Sequence, residues 1–251
     1  MPRFFIHLAF DGTAYHGWQM QPNGASVQQA VTEALSLVLR HPVTITGAGR
    51  TDTGVHARQF YAHFDFMKVF SNEECNKLVF NLNALLPQDI AVNEIFPVSA
   101  ESHARFSAIS RTYEYLICQR KNPFLVNRTW FNSQQLDFDL MNKGVAILLE
   151  YNDFACFSKS NTQVKTYKCC ITHAGWERNG QLLSFTISAD RFLRNMVRAI
   201  VGTLTELGRG RINLDDIRKI IESGDRRLAG MSVPAAGLYL VKIDYPDSIF
   251  L

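Results

Sequence analysis

Between Gly47 and Ala57 the chain reads G-A-G-R-T-D-T-G-V-H-A, placing a guanidinium, a carboxylate and an imidazole on one short stretch. Its three glycines permit positive φ and a close approach of backbone to a ligand. The β-branched alternation Pro42-Val43-Thr44-Ile45-Thr46 before it reads as a strand, which would display Asp52 on a tight loop at a strand end. Catalytic groups are disproportionately found in such loops. Arg50, two residues away, can hold Asp52 ionised or bind a phosphate. A conformational use is equally open, because Asp and Thr side chains cap turns and Gly permits them.

Three more segments carry chemistry-bearing residues. In Arg111-Thr112-Tyr113-Glu114-Tyr115, strand alternation puts Tyr113 and Tyr115 on one face. A tyrosine offers a flat face for stacking a base and a phenol for hydrogen bonding, and strands favour aromatics for packing as well. In Asp190–Arg198, the arginines Arg191, Arg194 and Arg198 recur at i, i+3 and i+7, so on a helix they share one flank beside an apolar face. Such a flank pairs with a carboxylate, Asp52 being a candidate, or stands in solvent. Pro234-Ala235-Ala236-Gly237-Leu238 is small enough for close backbone approach ahead of a last strand, or is an ordinary turn into it.

The elements that must position these groups follow from periodicity. Phe4–Phe10 reads as a strand; Ser26 followed by Gln29 is a capping-box pattern opening a helix with Val27, Ala30, Val31, Ala34, Leu35 and Val38 on one face. Val43–Thr46 reads as a strand, and Phe60, Ala62, Phe64 and Phe66 alternate with polar residues as a strand with one buried face. A helix over Asn72–Ala84 and a strand over Ile90–Ile95 complete a β-α-β-β-α-β order, close to a ferredoxin-like unit. The second half repeats the theme: a strand over Thr112–Cys118, a helix over Leu136–Leu149, and strands over Tyr167–Trp176 and Leu182–Ala189 joined through Asn179-Gly180. Leu193–Leu207 is a strongly periodic helix, Leu214–Glu222 a short one, and Leu238–Ile243 a last strand. The expected fold is α+β: two ferredoxin-like or RRM-like α/β halves, residues 1–105 and 106–251, on a continuous, mostly antiparallel mixed sheet with a central cleft.

Composition excludes several function classes. With 47% hydrophobic and 20% charged residues the chain is globular rather than disordered. No apolar run approaches the ~20 residues that cross a membrane. Met1-Pro2-Arg3 runs straight into a strand-like stretch without a signal-peptide pattern. Five cysteines without C-x-x-C spacing read as buried thiols of a reducing, cytoplasmic protein and do not favour zinc. A net charge of +3 is modest, yet arginines crowd the C-terminal half, which suits a polyanion there.

Taken together, these segments resemble the pseudouridine synthase family, in its tRNA pseudouridine synthase A branch. G-A-G-R-T-D-T-G-V-H-A is joined by Phe10-Asp11-Gly12-Thr13-Ala14-Tyr15-His16-Gly17-Trp18-Gln19, by His103-Ala104-Arg105-Phe106-Ser107 ahead of Arg111–Tyr115, and by Asp153-Phe154 with Phe157-Ser158. The Phe192–Gly202 stretch and Gly237-Leu238-Tyr239-Leu240 follow in the family's order. The resemblance spans Phe10 to about Tyr245. It implies that Asp52 is the catalytic aspartate, Tyr113 the ring against the target base, and Arg198 the arginine paired with Asp52. By the same resemblance Arg50 stands beside the extruded nucleotide and Leu238 borders the active site. Arg191 and Arg194 are expected RNA contacts on the separate ground of the basic C-terminal half. It further implies a tRNA substrate modified at uridines 38, 39 and 40 of the anticodon stem-loop, no metal or organic cofactor, and a homodimer.

Such chemistry needs an ionised carboxylate in a closed pocket, where burial raises its pKa and a guanidinium opposes that rise. Two rival classes remain. His56, His63 and Asp65 raise a metal-dependent hydrolase, although no two carboxylates share a compact ligand spacing. A non-catalytic RNA-binding protein would have no use for Asp52.

Overall fold

A computed structural model describes residues 1–22, 24–159 and 164–250. Among the described residues the chain forms five helices and nine strands in an α+β architecture, and it divides into two compact units.

The first unit, Met1–Ile109 with Tyr239–Leu251, holds β1 (Arg3–Phe10), α1 (Val27–Leu39), β2 (Thr46–Gly47), β3 (His56–Asp65), α2 (Asn72–Leu85), β4 (Ile90–Val98) and, but for its first residue, β9 (Leu238–Asp244). Its strands lie in the order β4-β1-β3-β9, with β1 antiparallel to both neighbours and β9 parallel to β3 through His56↔Tyr239 and Ala57↔Leu240. Phe4, Ile6 and Leu8 register against Phe64, Ala62 and Phe60, so the even residues of both strands share one buried face. α1 buries Val27, Val31, Ala34 and Leu35 as the apolar period requires. Its cap is only half of the expected box: Ser26 Oγ accepts from Gln29 N–H, but the Gln29 amide donates to Glu33 Oε1 instead of reaching back. The reciprocal box forms on α2, between Ser71 and Glu74.

Two expectations for this unit are overturned. Val43–Ile45 is not a strand, and β2 keeps only Thr46 and Gly47. Side chains take the backbone groups that a ladder would use: Val43 N–H donates to Ser36 Oγ, and Ile45 O accepts from the Gln28 amide. The second is β3, whose other face is also partly covered. Tyr61 packs edge-on to Tyr245, and His63 is covered at Ala104, whose N–H donates to His63 Nδ1 at 3.1 Å.

His63 carries a consequence for pH. Burial, with Arg3 and His103 nearby, pushes its pKa down to about 4, whereas an unfolded histidine titrates near ~6.5. Between those values the unfolded chain binds a proton that the folded chain refuses, so stability rises with pH across that window. His7 and His103 are displaced in the same direction, both chiefly by burial. The urea midpoint should therefore fall as pH drops from 6.5 toward 4, and His63→Gln should flatten the dependence; an unchanged slope in that variant would assign the effect elsewhere.

The second unit, Ser110–Leu238, holds β5 (Ser110–Cys118), β6 (Trp130–Phe131), α3 (Phe138–Leu148), β7 (Ile171–Asn179), β8 (Leu182–Ala189), α4 (Met196–Gly208) and α5 (Leu214–Ser223). β8 lies between β5 and β7, antiparallel to both. The β7–β8 hairpin turns at Gly180, whose φ of 59° is the left-handed conformation that Asn-Gly predicts. β7 starts at Ile171 rather than Tyr167, because the preceding residues bond to other segments: Phe154 N–H to Tyr167 O and Cys169 N–H to Asn152 O.

α4 departs most from a surface helix. Within it only Arg198 and Glu206 are not buried, and the rest of its circumference is core. It starts at Met196, not Leu193, because Asn195 sits at φ 68° in the left-handed region and stops the helix there. Arg191 and Arg194 therefore lie before the helix, and the expected shared flank with Arg198 does not exist.

Candidate active site

Asp52 sits half-buried in the loop from Ala48 to Val55, between β2 and β3. The loop is anchored at one end by Ala48 N–H to Tyr61 O at 2.8 Å and closed by Val55 N–H to Asp52 O at 3.1 Å. Gly54, at φ 77°, supplies the one left-handed step, and its N–H donates to Tyr15 O. Gly47 and Gly49 are not in positive φ, contrary to the reading that all three glycines serve that purpose. Gly47 is needed for space: a Cβ there would lie 2.3 Å from the Trp18 indole nitrogen.

What holds this loop is the segment Asp11–Trp18, which residue types alone did not reveal as structural. Gly17, at φ 90°, brings its backbone so near the loop that a Cβ would lie 2.1 Å from Thr51 O. A Cβ on Gly12 would lie 2.0 Å from Val55 O, and Trp18 N–H donates to Thr51 Oγ1 at 2.9 Å. Trp18 is buried against Phe60, ring centres 4.2 Å apart. The segment is itself tied to the start of α1, through Gln28 N–H to Trp18 O. The signal was present as two glycines and a tryptophan in F-D-G-T-A-Y-H-G-W, but their target is some forty residues away in sequence.

His56, the first residue of β3, is buried. Gly12 N–H donates to His56 Nδ1 at 3.0 Å, and the ring stacks on Tyr239 at 4.6 Å. Asp11 Oδ1 lies 3.1 Å from the same nitrogen. Arg50 is exposed two residues before Asp52. Across the described residues no three His, Cys, Asp or Glu side chains gather as a metal site would require.

The remaining predicted residues belong to the second unit. Tyr113, on β5, is half-buried with Phe192 edge-on to it at 5.1 Å. Tyr115, on the same face, is fully buried; its hydroxyl donates to Pro234 O, and burial raises its pKa. The strand thus spends one tyrosine on the core and leaves the other partly accessible. Phe192 belongs to the short irregular run that carries Arg191 and Arg194, shaped by Asp190, whose Oδ1 accepts from both Cys170 and Arg191 N–H. Leu238 is buried at the start of β9.

Arg198 is held by a device that sequence reasoning missed. Its Nε donates to Val233 O at 2.7 Å, and Val233 N–H returns a bond to Arg198 O at 3.3 Å. The segment Ala229–Val233 is in turn gripped by Arg226, whose guanidinium donates to Ala229 O, Gly230 O and Ser232 Oγ. Gly230 N–H donates to Thr203 Oγ1 on α4. With Nε committed, the guanidinium has a fixed direction, as a positioned cation needs. The structure thus groups Arg50 with Asp52 in one unit, and Tyr113, Arg191, Arg194, Arg198 and Leu238 in the other.

The first unit thus offers a carboxylate on a backbone-cradled loop, and the second a partly accessible tyrosine and a positioned guanidinium. Comparison with known proteins gives the family. A family model described as tRNA pseudouridine synthase matches residues 150–246. The tRNA pseudouridine synthase A of Parabacteroides distasonis is 52% identical over 253 residues, covering 100% of this chain and 98% of the relative. That of Porphyromonas gingivalis is 51% identical with 100% of both chains covered, and that of Acetivibrio thermocellus 40% identical over 95% of this chain and 97% of its own. The chain belongs to the tRNA pseudouridine synthase A family, and so to the isomerases.

Proposed function

We propose that this protein converts uridine to pseudouridine at positions 38, 39 and 40 of the tRNA anticodon stem-loop, acting as a cytoplasmic homodimer without metal or organic cofactor. The observation that carries the reading is Asp52 on a loop clamped by Gly12, Gly17 and Trp18, in a chain 52% identical to a tRNA pseudouridine synthase A. In the reaction the N1–C1′ bond breaks and a C5–C1′ bond forms. C5 gives up its proton and N1 gains one, so atoms and electrons balance without oxidant, reductant or group donor.

Asp52 is the catalytic carboxylate, whether it adds to C6 of the base, attacks C1′ or removes the C2′ proton on the way to a glycal. Tyr113 stacks on the detached uracil and assists loss of the C5 proton. Arg198 supplies the opposing cation, and Leu238 borders the base. A uridine paired in a stem must be extruded, at a cost of a few kcal/mol, and Arg50 occupies the gap or its phosphate. Arg191 and Arg194 contact phosphates, which makes binding salt-dependent.

The test is to map pseudouridine in tRNA transcripts incubated with the purified protein alone, in excess chelator. Modification at 38–40 is expected. Modification confined to another loop would overturn the substrate assignment, and activity lost to the chelator would overturn the cofactor-free reading.

A further inference from the structure

The turn that joins β4 to β5 presents an aromatic ring to solvent on a hydrogen-bonded support. Its residues His103–Ser107 are tied from three directions. Ala104 N–H donates to His63 Nδ1 on β3, and Ala104 O accepts from the Tyr245 hydroxyl beyond β9. His103 Nδ1 accepts from the N–H groups of Arg105 and Phe106 at 3.1 and 3.3 Å, and Ser107 N–H donates back to His103 O. At the tip Phe106 is 74% exposed. One side of the neighbourhood is the His103 ring, 4.4 Å from Phe106 between centres, and the Arg105 guanidinium lies 5.4 Å from the same ring.

An exposed phenylalanine on a loose loop needs no account. Here the backbone on either side of the ring is held by the bonds at His103 and Ala104, and the His103 ring lies against Phe106. A rigid aromatic face with a cation beside it is pre-organised to stack a base and meet its phosphate, and pre-organisation removes the ordering cost of binding.

We infer that Arg105 and Phe106 form a second RNA contact, in which Phe106 stacks an unpaired base and Arg105 meets a neighbouring phosphate. The inference rests on the tRNA-modifying reading above. His63 lies seven residues along β3 from His56, roughly 23 Å at ~3.3 Å per residue, so this platform is remote from the end of the Asp52 loop that runs into β3 and nearer the other end, where Ala48 N–H bonds Tyr61 O. On this inference the base it takes is a second nucleotide of the same RNA, not the one being isomerised. Its role is to hold the substrate in register.

The full-length protein and a tRNA transcript suffice for the test, with Kd read by fluorescence anisotropy across a salt series. Phe106→Leu keeps apolar bulk but loses the π face, and is expected to weaken binding about tenfold. Phe106→Tyr should bind nearly as the parent does. Phe80→Leu, changing an equally exposed ring on α2, should leave Kd unaltered. Arg105→Gln should reduce the salt slope by about one. Parental affinity in Phe106→Leu sinks the inference, as does a loss shared equally by Phe106→Tyr. A change in sedimenting mass that tracks the affinity would assign the ring to a second copy of the chain instead. If the parent protein modifies tRNA while Phe106→Leu binds normally, only this inference falls; a parent that neither binds nor modifies tRNA takes both readings down.

Discussion

Replacing Asp52 by asparagine is expected to abolish pseudouridine formation while the protein still folds and still binds tRNA. Asparagine has nearly the same shape, and the loop's backbone anchors do not depend on the charge. Val55 N–H bonds the Asp52 main-chain oxygen, Gly54 N–H bonds Tyr15 O, and Thr51 Oγ1 receives Trp18 N–H. What disappears is the negative charge that each route to pseudouridine needs, as nucleophile or as base. Removing such a group costs on the order of 10^4 or more in rate, far beyond any effect of a small shift in loop position. Release of tritium from C5-labelled uridine in single-turnover reactions gives the rate, and filter binding gives Kd. Turnover within tenfold of the parent would end the assignment of Asp52 as the catalytic group. Equal losses of binding and turnover would make it a loop-shaping residue instead.

The Asp52 loop stands out in the sequence because its residues are contiguous: cation, carboxylate and the glycine that turns the chain occupy one short stretch. Elements whose structure is set by local periodicity, such as α1, β8 and the Asn179-Gly180 hairpin, were legible for the same reason. What failed depended on partners remote in sequence. Val43–Ile45 has good strand residues, yet Ser36 and Gln28 intercept its backbone. The run Arg191–Arg198 has helical spacing, yet left-handed Asn195 divides it, with its side chain bonded to Ser232. Propensity and spacing are weak against such contacts, since a few tertiary bonds outweigh tenths of a kcal/mol per residue. Gly12 and Gly17 were visible as glycines, but only the folded chain shows that they are there to admit the carbonyls of Val55 and Thr51.

The placement of Arg198 yields the second large effect, in Gly202→Ala. Gly202 lies inside α4, where alanine would ordinarily be preferred by about 1 kcal/mol. Here a Cβ would fall 1.9 Å from Met231 O, a backbone atom that cannot swing aside. Gly230 faces the same contact from the segment's side, with its own Cβ position 2.6 Å from Thr203 N. Helix and segment thus meet backbone to backbone, and separating them costs the 1–3 kcal/mol typical of overpacking, or more, so the clash outweighs the helix gain. The segment must shift, carrying Val233 O away from the Arg198 Nε that it now holds at 2.7 Å. Gly202→Ala should therefore lower Tm by several degrees, at ~2–4 °C per kcal/mol for a chain this long. It should also lower kcat at temperatures where the variant remains fully folded by circular dichroism. Gly175→Ala, at a position with open space around it, is the control expected to leave kcat as it was. A Gly202→Ala protein with raised Tm and parental kcat would mean that helix propensity governs the site and that Val233 does not aim Arg198. A lowered Tm with parental kcat would keep the packing argument and remove the aiming.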